Sequence, residues 1–265
     1  MNLRKWNREK RTRAGKVPQF VESKIEKTMA CISNPMLKSH IPETRIFSPE
    51  VLEEMLKRFS FVILKPDVGR KGYGVISVRK NPRGVLIHYE TQEIEYADIW
   101  EGMRLIKDMS DEKTYLVQQG IELLKIAKRP LDVRVSMQKP YSEWRFTGIA
   151  ARLAGPGKVV TNRSSGGEII PFACALAQCG VCPDNILKVR ESIKQISLNA
   201  AKVLNGKYRG LRELGIDIGL DQSLFPWIFE INTRPVYKLF GMLPDKSMYN
   251  MIRKYHRMIW RGVTG

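Results

Sequence analysis

The spacing of apolar residues divides the chain into stretches of helical and of strand period. Apolar residues at 186, 189, 193, 196, 200, 203 and 204 keep to one face of a helix over Asp184 to about Asn205. Leu52, Met55, Leu56 and Phe59 make a shorter stripe, in a helix that Ser48 caps, Pro49 opens and Arg58 closes. Residues 20–40, 98–109 and about 247–260 also read as helical, the last of them basic and amphipathic. Phe61–Pro66 is an apolar strand that ends in a lysine, Lys65. Val75–Arg79, Val85–Tyr89 and Thr114–Gln118 follow as strands. Leu131–Met137 and Trp144–Leu153 alternate like an antiparallel pair around Pro140-Tyr141-Ser142. There is no internal repeat. This order predicts an α+β protein with two sheet-containing lobes.

Composition changes the picture little. At 265 residues, 43% hydrophobic and 27% charged, the chain is long enough for a substantial core. No apolar run reaches the length of a membrane span, and the basic N-terminus lacks the apolar core of a secretory signal, so a cytosolic setting is expected. Cys179 and Cys182 have the spacing of half a zinc site, but no second pair follows; semi-buried thiols are expected instead. The net charge of +18 is more informative, because it gathers at the ends. Residues 1–45 hold 11 Lys and Arg against 4 acids, and residues 246–265 hold 5 against none. Such ends suit nucleic acid, an acidic peptide or protein, or an anionic surface, or are a solvated tail; with no aromatic platform for single strands, nucleic acid is not expected as a partner.

Candidate chemistry lies in a few short segments. Glu230 and Asn232 are two apart in Phe229-Glu230-Ile231-Asn232, so on a strand both face one side, and Asp217 precedes them by thirteen residues. A carboxylate buried in that apolar surrounding costs several kcal/mol, roughly, unless a partner compensates it. Carboxylates and an amide carbonyl are the oxygen ligands Mg²⁺ prefers, so Asp217, Glu230 and Asn232 are candidate ligands for one or two such ions. A solvated edge strand is the bland alternative. Gly69, Gly72 and Gly74, with Tyr73 among them, form a turn between strands whose backbone N–H groups suit phosphate; Lys65 stands at its entrance. The loop after the Thr114–Gln118 strand, with Gln119, Gly120 and Ile121, offers backbone groups to a purine. Arg134 and Arg152 alternate with apolar neighbours on adjacent strands and suit bidentate binding of phosphate or carboxylate. Asn162 and Gly166-Gly167 add a polar loop.

In this order the segments resemble an ATP-grasp domain of the YheC/YheD type, a family associated with the endospore coat. The resemblance runs from about Lys24 to Met258, through Lys24-Ile25-Glu26-Lys27, His40-Ile41-Pro42-Glu43-Thr44, the Lys65 strand and glycine turn, and Gln118-Gln119-Gly120-Ile121. It continues through Asp132-Val133-Arg134, Arg152, Asn162, Asp217 and Glu230-Ile231-Asn232. It implies two α+β lobes with antiparallel sheets enclosing ATP. The expected division is a basic arm over 1–20 and an ATP-grasp domain over 21–265, with lobes at about 48–113 and 114–265. The resemblance also implies Lys65 and Lys27 on the phosphates, Arg152 over the γ-phosphate, and catalysis by Arg152 and Lys65. The glycine turn, Gln118–Ile121, Arg134 and Asn162 would bind nucleotide, and Asp217, Glu230 and Asn232 would hold Mg²⁺. The implied activity is a carboxylate–amine ligase working through an acyl phosphate. The alternative is a non-catalytic ATP-binding protein of the spore coat. Two departures bear on substrate choice: Gln119 stands where an acidic hinge residue is common, and a short basic arm replaces the domain that usually precedes the core.

Overall fold

A computed structural model describes residues 18–69, 73–110, 113–155 and 167–261. Most of the predicted arm, Gly72, and the loop with Asn162 and Gly166 lie outside them. The first sheet joins β1 (Thr44–Ile46), β2 (Phe61–Pro66), β3 (Ile76–Asn81), β4 (Gly84–Tyr89), β5 (Gln92–Tyr96) and β6 (Tyr115–Gln119) in the order β1-β6-β2-β3-β4-β5. The second runs β10-β9-β8-β11-β12. It is built from β8 (Arg129–Gln138), β9 (Arg145–Leu153), β10 (Glu168–Pro171), β11 (Glu213–Leu220) and β12 (Pro226–Asn232), and the short β7 (Lys125–Ile126) pairs with β8. Their ladders are antiparallel throughout.

Each sheet buries one face on helices. Leu52, Met55 and Leu56 of one helix (Pro49–Arg58) and Ile99, Met103 and Ile106 of another (Ile99–Ser110) cover Val62, Leu64, Val78 and Ile87. Ser48 Oγ accepts from the Val51 N–H at 3.2 Å, the cap the sequence predicts. In the second lobe Val133, Val135, Met137, Leu214, Ile216 and Ile218 point to the long helix Pro183–Lys207 and its Ile193, Ile196 and Ala200. The short apolar stretch around Ala30, Cys31 and Leu37 joins this second core, not the first.

Several elements depart from the sequence reading. The stretch over 20–40 contains two helices, Lys24–Ile32 and Pro35–Lys38, each with its own side-chain cap, Ser23 and Asn34. Thr44–Ile46, to which the sequence reading assigns no strand, form the edge strand β1. β5 is not predicted because Ile94 and Tyr96 supply only two alternating apolar positions on a short, largely exposed edge. β6, expected to begin the second lobe, pairs between β1 and β2 and completes the first sheet. Cys174 and Cys182 are exposed, not semi-buried, whereas Cys31 is sealed in the core.

The lobes meet where β6 ends. Gly120 donates its N–H to Phe61 O at 3.0 Å, and a Cβ at this position would come 2.2 Å from the Phe61 ring. No side chain fits there without displacing that ring, which the Arg79 guanidinium covers at 4.0 Å. Gly120→Ala is therefore expected to lose about 1–3 kcal/mol in urea unfolding, as overpacked sites do. Adding Phe61→Ala to it should recover part of the midpoint that Phe61→Ala alone does not supply. Additive losses would mean that the two residues do not share the space.

Candidate functional site

Alternation along the second sheet sends its apolar residues to the helices and its charged residues to the opposite face. There Asp132 and Arg134 on β8 stand beside Arg152 on β9 and Asp217 on β11; the register pairs Asp132 with Arg152 and Arg134 with Asp217. Asp217 in turn stands opposite Glu230, and Gly215 opposite Asn232. A β-bulge follows at Asp217/Ile218, so Phe229 takes the extra position.

Opposite charges on adjacent strands become fixed ion pairs. Arg134 donates Nε and Nη2 to the two oxygens of Asp217, at 2.5 and 3.1 Å. Arg152 donates Nε to Asp132 at 2.6 Å and its Nη2 to the other oxygen, and this Nη2 also lies 3.2 Å from Asp217. All four residues are 9% exposed or less. Burial alone would lower Arg152, but Asp132 and Asp217 outweigh it and hold the guanidinium charged. Burial would likewise raise Asp217, yet Arg134 and Arg152 keep it below the usual carboxylate range. Removing one member would leave its partner charged and unpaired, which costs about 3–5 kcal/mol.

Three amines face this array. Lys65 reaches across the cleft from β2, donating to Gln118 Oε1 at 2.8 Å and to Phe229 O at 3.0 Å on β12. Gln118 is itself oriented by its Nε2 donating to Thr44 Oγ1 at 2.9 Å. The helix Lys24–Ile32 brings in the other two at positions i and i+3. Asp67, just after β2, accepts from Ile25 N at 2.8 Å and so ties the start of that helix to the first lobe. Lys24 donates to Pro66 O, Asp67 O and Gly69 O, and Lys27 to Val21 O and Glu22 O. Burial pushes Lys27 and Lys65 down to about 8, against the opposing pull of Glu230, and Lys24 is lowered for the same reason.

All these groups line one cavity of about 1060 Å³ between the lobes. Lys24, Lys27, Lys65, Arg134 and Arg152 set five cations against the carboxylates of Asp132, Asp217 and Glu230 in its wall. The excess is positive, on side chains that are themselves largely buried; it suits a polyanion. Glu230 and Asn232 line the same wall, and among the described residues neither side chain makes a hydrogen bond or a contact ion pair. A carboxylate and an amide oxygen left open beside one another fit a hard divalent cation such as Mg²⁺. Asp217 is different, because both its oxygens already accept from arginine. No cluster of three or more His, Cys, Asp or Glu is arranged for a metal among the described residues.

At the other predicted positions the picture is mixed. Gln119 donates its N–H to Glu43 O and its side chain accepts from Glu43 N, so it serves β1. Gly120 spends its N–H on Phe61. Of the three hinge residues, only Ile121 keeps an unpaired N–H among the described residues, and it lines the cavity. The N–H groups of Gln119 and Gly120 are thus engaged within the protein. Tyr73 and Gly69 line the cavity, whereas Gly74, at φ +74, packs under the Tyr115 hydroxyl. Lys24 and Asp132 have no role assigned from sequence, although they lie in Lys24-Ile25-Glu26-Lys27 and Asp132-Val133-Arg134. The i, i+3 spacing of Lys24 and Lys27 and the i, i+2 spacing of Asp132 and Arg134 were the signals that find them.

The chain is similar to known proteins in family and in fold. A family described as YheC/D-like ATP-grasp matches residues 18–258. Among curated proteins, the endospore coat-associated protein YheD of Bacillus subtilis (strain 168) is 26% identical over 216 residues, covering 78% of this chain and 47% of its own. YheC of the same organism is 25% identical over 210 residues, covering 76% of this chain and 56% of its own. The chain thus spans about half the length of the curated relatives it matches. Among solved structures, the VanG D-Ala:D-Ser ligase from Enterococcus faecalis superposes with a TM-score of 0.54 at 12% identity, covering 92% of this chain and 61% of that one. The ATP-grasp ligase PsnB, complexed with a minimal precursor, gives 0.52 at 14% identity, covering 89% and 60%.

The desolvated amines make stability depend on pH in a definite direction. Lys27 and Lys65 lose their protons near 8 in the folded chain, and near 10.5 once it unfolds. Between those values the unfolded chain binds more protons, so stability rises with pH through that window. The urea midpoint of the wild type is expected to climb from pH 7.5 to 9.5, and Lys65→Met to flatten part of the climb. Parallel profiles for the two proteins would show that Lys65 is solvated.

Proposed function

Because the chain belongs to the YheC/D-like ATP-grasp family, we propose that it is an ATP-dependent carboxylate–amine ligase, acting on an amino acid or an acidic peptide or protein. One observation carries the reading: Glu230 and Asn232, without protein partners, face the cavity that also receives the buried amines of Lys24, Lys27 and Lys65. Such amines are retained at a cost to stability, and an anion with several negative oxygens offsets it. The ATP-grasp fold accounts for the two lobes and the cleft between them. In this reading the base lies toward Ile121, and the triphosphate lies along Lys65, Lys27 and Lys24.

The chemistry divides into two transfers. An oxygen of the acceptor carboxylate bonds to the γ-phosphorus while the bond from that phosphorus to the β–γ bridging oxygen breaks, releasing ADP. The amine nitrogen then attacks the acyl carbon; the carbon–oxygen bond to phosphate breaks, and phosphate and the amine's proton leave. Lys65 and Arg152 offset the charge that spreads over the transferring oxygens. Asp132 and Asp217 hold Arg152 in one orientation, so little reorganisation is needed as charge develops. Glu230 and Asn232 would hold Mg²⁺, with Asp217 at the edge of the site. That ion would neutralise phosphate charge and orient the triphosphate.

The names of the curated relatives favour a second reading, a nucleotide-binding coat protein without turnover, and one experiment separates the two. Among the described residues Glu230 makes no hydrogen bond or contact ion pair, but its charge offsets that of the buried amines, so Glu230→Gln should lower the melting temperature of the apo protein only modestly. With saturating ATP and Mg²⁺ the wild type should gain about 2.7 kcal/mol at a hundredfold excess over Kd, and the variant much less. Acceptor-dependent ADP release should fall with it. A thermal shift without release for any amino acid or acidic peptide would favour the coat reading. An equal shift in both proteins would remove Glu230 from the site.

A further inference from the structure

The cavity continues beyond Asn232, and its far end has a chemistry of its own. β12 ends at Asn232, and Thr233 is tied down by exchanging hydrogen bonds with Val21: Val21 N donates to Thr233 Oγ1 at 2.9 Å, and that hydroxyl donates to Val21 O at 3.0 Å. This clasp fixes the segment that follows. Arg234, Val236, Lys238 and Leu239 then line the cavity together with Phe20 and Ile169. Val236 is 66% exposed and Phe20 37%, so apolar surface lines this part of the cleft. The Arg234 guanidinium lies 5.3 Å over the Phe20 ring, which stacks on Trp260 at 6.1 Å. Trp260 Nε1 donates to buried Glu213 at 3.0 Å, so this platform is anchored in the sheet.

Arg234 and Lys238 are both exposed, and among the described residues neither has an acidic partner within 4 Å. Arg129 and Arg79, which also line the cavity, instead pair with Glu168 and Glu122 at 2.7 and 2.6 Å, whereas Lys128 resembles Arg234 and Lys238 in having no acidic partner among the described residues. The volume of about 1060 Å³ is at the upper end of the range of about 300–1,000 Å³ usual for single small ligands. Nucleotide occupying the Lys65 end would therefore leave room for a second molecule here.

We infer that this end of the cleft is the acceptor subsite, selecting a small anionic substrate that carries an apolar group next to its negative charge. Arg234 and Lys238 take the anionic group, and Val236, Leu239 and Phe20 take the apolar one. Stacking on Phe20 pre-orients Arg234, so binding orders fewer side-chain rotamers. The inference rests on the nucleotide reading of the Lys65 end, which fixes the end left for the acceptor.

The test uses the full chain with a saturating non-hydrolysable ATP analogue and Mg²⁺, and three blocked dipeptides as probes: acetyl-Leu-Glu-amide, acetyl-Leu-Gln-amide and acetyl-Gly-Glu-amide. By calorimetric titration the first should bind more tightly than either of the others. In Arg234→Gln/Lys238→Gln its affinity should fall roughly tenfold or more, as loss of charged hydrogen bonds does, down to that of the Gln peptide. The thermal shift given by the nucleotide analogue should be unchanged in the variant. Equal binding of the three probes, no binding of any, or full retention by the double variant overturns the inference. Absence of the analogue's shift in the wild type would instead count against the nucleotide reading, and the peptide ranking can be measured without it.

Discussion

Everything in the cleft depends on the desolvated charge array across β8, β9 and β11. Two arginines and two aspartates, each buried, neutralise one another in a plane where water cannot. Such an array gains little net stability, since the cost of desolvating four ions offsets most of their attraction. What it supplies is position. Arg152, gripped by Asp132 and touching Asp217, has one geometry, and Arg134 is flattened over Gly215, where a Cβ would come 3.3 Å from its Nη1. The sheet beneath tolerates this because its other face is packed on the long helix by aliphatic side chains without polar atoms.

The second lobe thus presents fixed charge, and the first lobe adds amines that its sheet does not neutralise. Lys65 crosses to a carbonyl of β12, and Asp67 ties the helix bearing Lys24 and Lys27 to the end of β2. That helix packs its apolar side, Ala30 and Cys31, on the second core, while its first turn is bonded to the first lobe. It therefore couples the lobes at the point where the amines gather. The same device that assembles the cleft leaves its charge unbalanced, and a polyanion bound there would strengthen the contact between the lobes. Glu230 tempers the imbalance without abolishing it, holding the lysine pKa values up against burial.

Much of this was legible in the chain. Strand alternation predicted that Glu230 shares a face with Asn232 and that Arg134 and Arg152 turn away from the core, because a period of two leaves no other arrangement. The long helix and the cap at Ser48 followed from local spacing and from a side chain that satisfies an open N–H. The order of the short segments was enough for the family resemblance, which the match over residues 18–258 bears out. The edge strand β5 was illegible because its alternation is only two apolar residues long, Ile94 and Tyr96, and its existence depends on pairing with β4.

The sequence by itself determined which residues carry charge, which face of each strand they take and the order in which they come, since those follow from covalent spacing. Register, partners and desolvation belong to the tertiary structure. Nothing local says that Asp217 would stand opposite both Arg134 and Glu230, or that its oxygens would go to arginine; that depends on strands joined through long connections. Nor does spacing say that Gly120 is held by Phe61, that Gln119 turns to Glu43, or that Lys24 joins Lys65 across 41 residues of chain. Burial and ionisation are properties of the packed surroundings, and those exist only once both sheets have closed on the cleft.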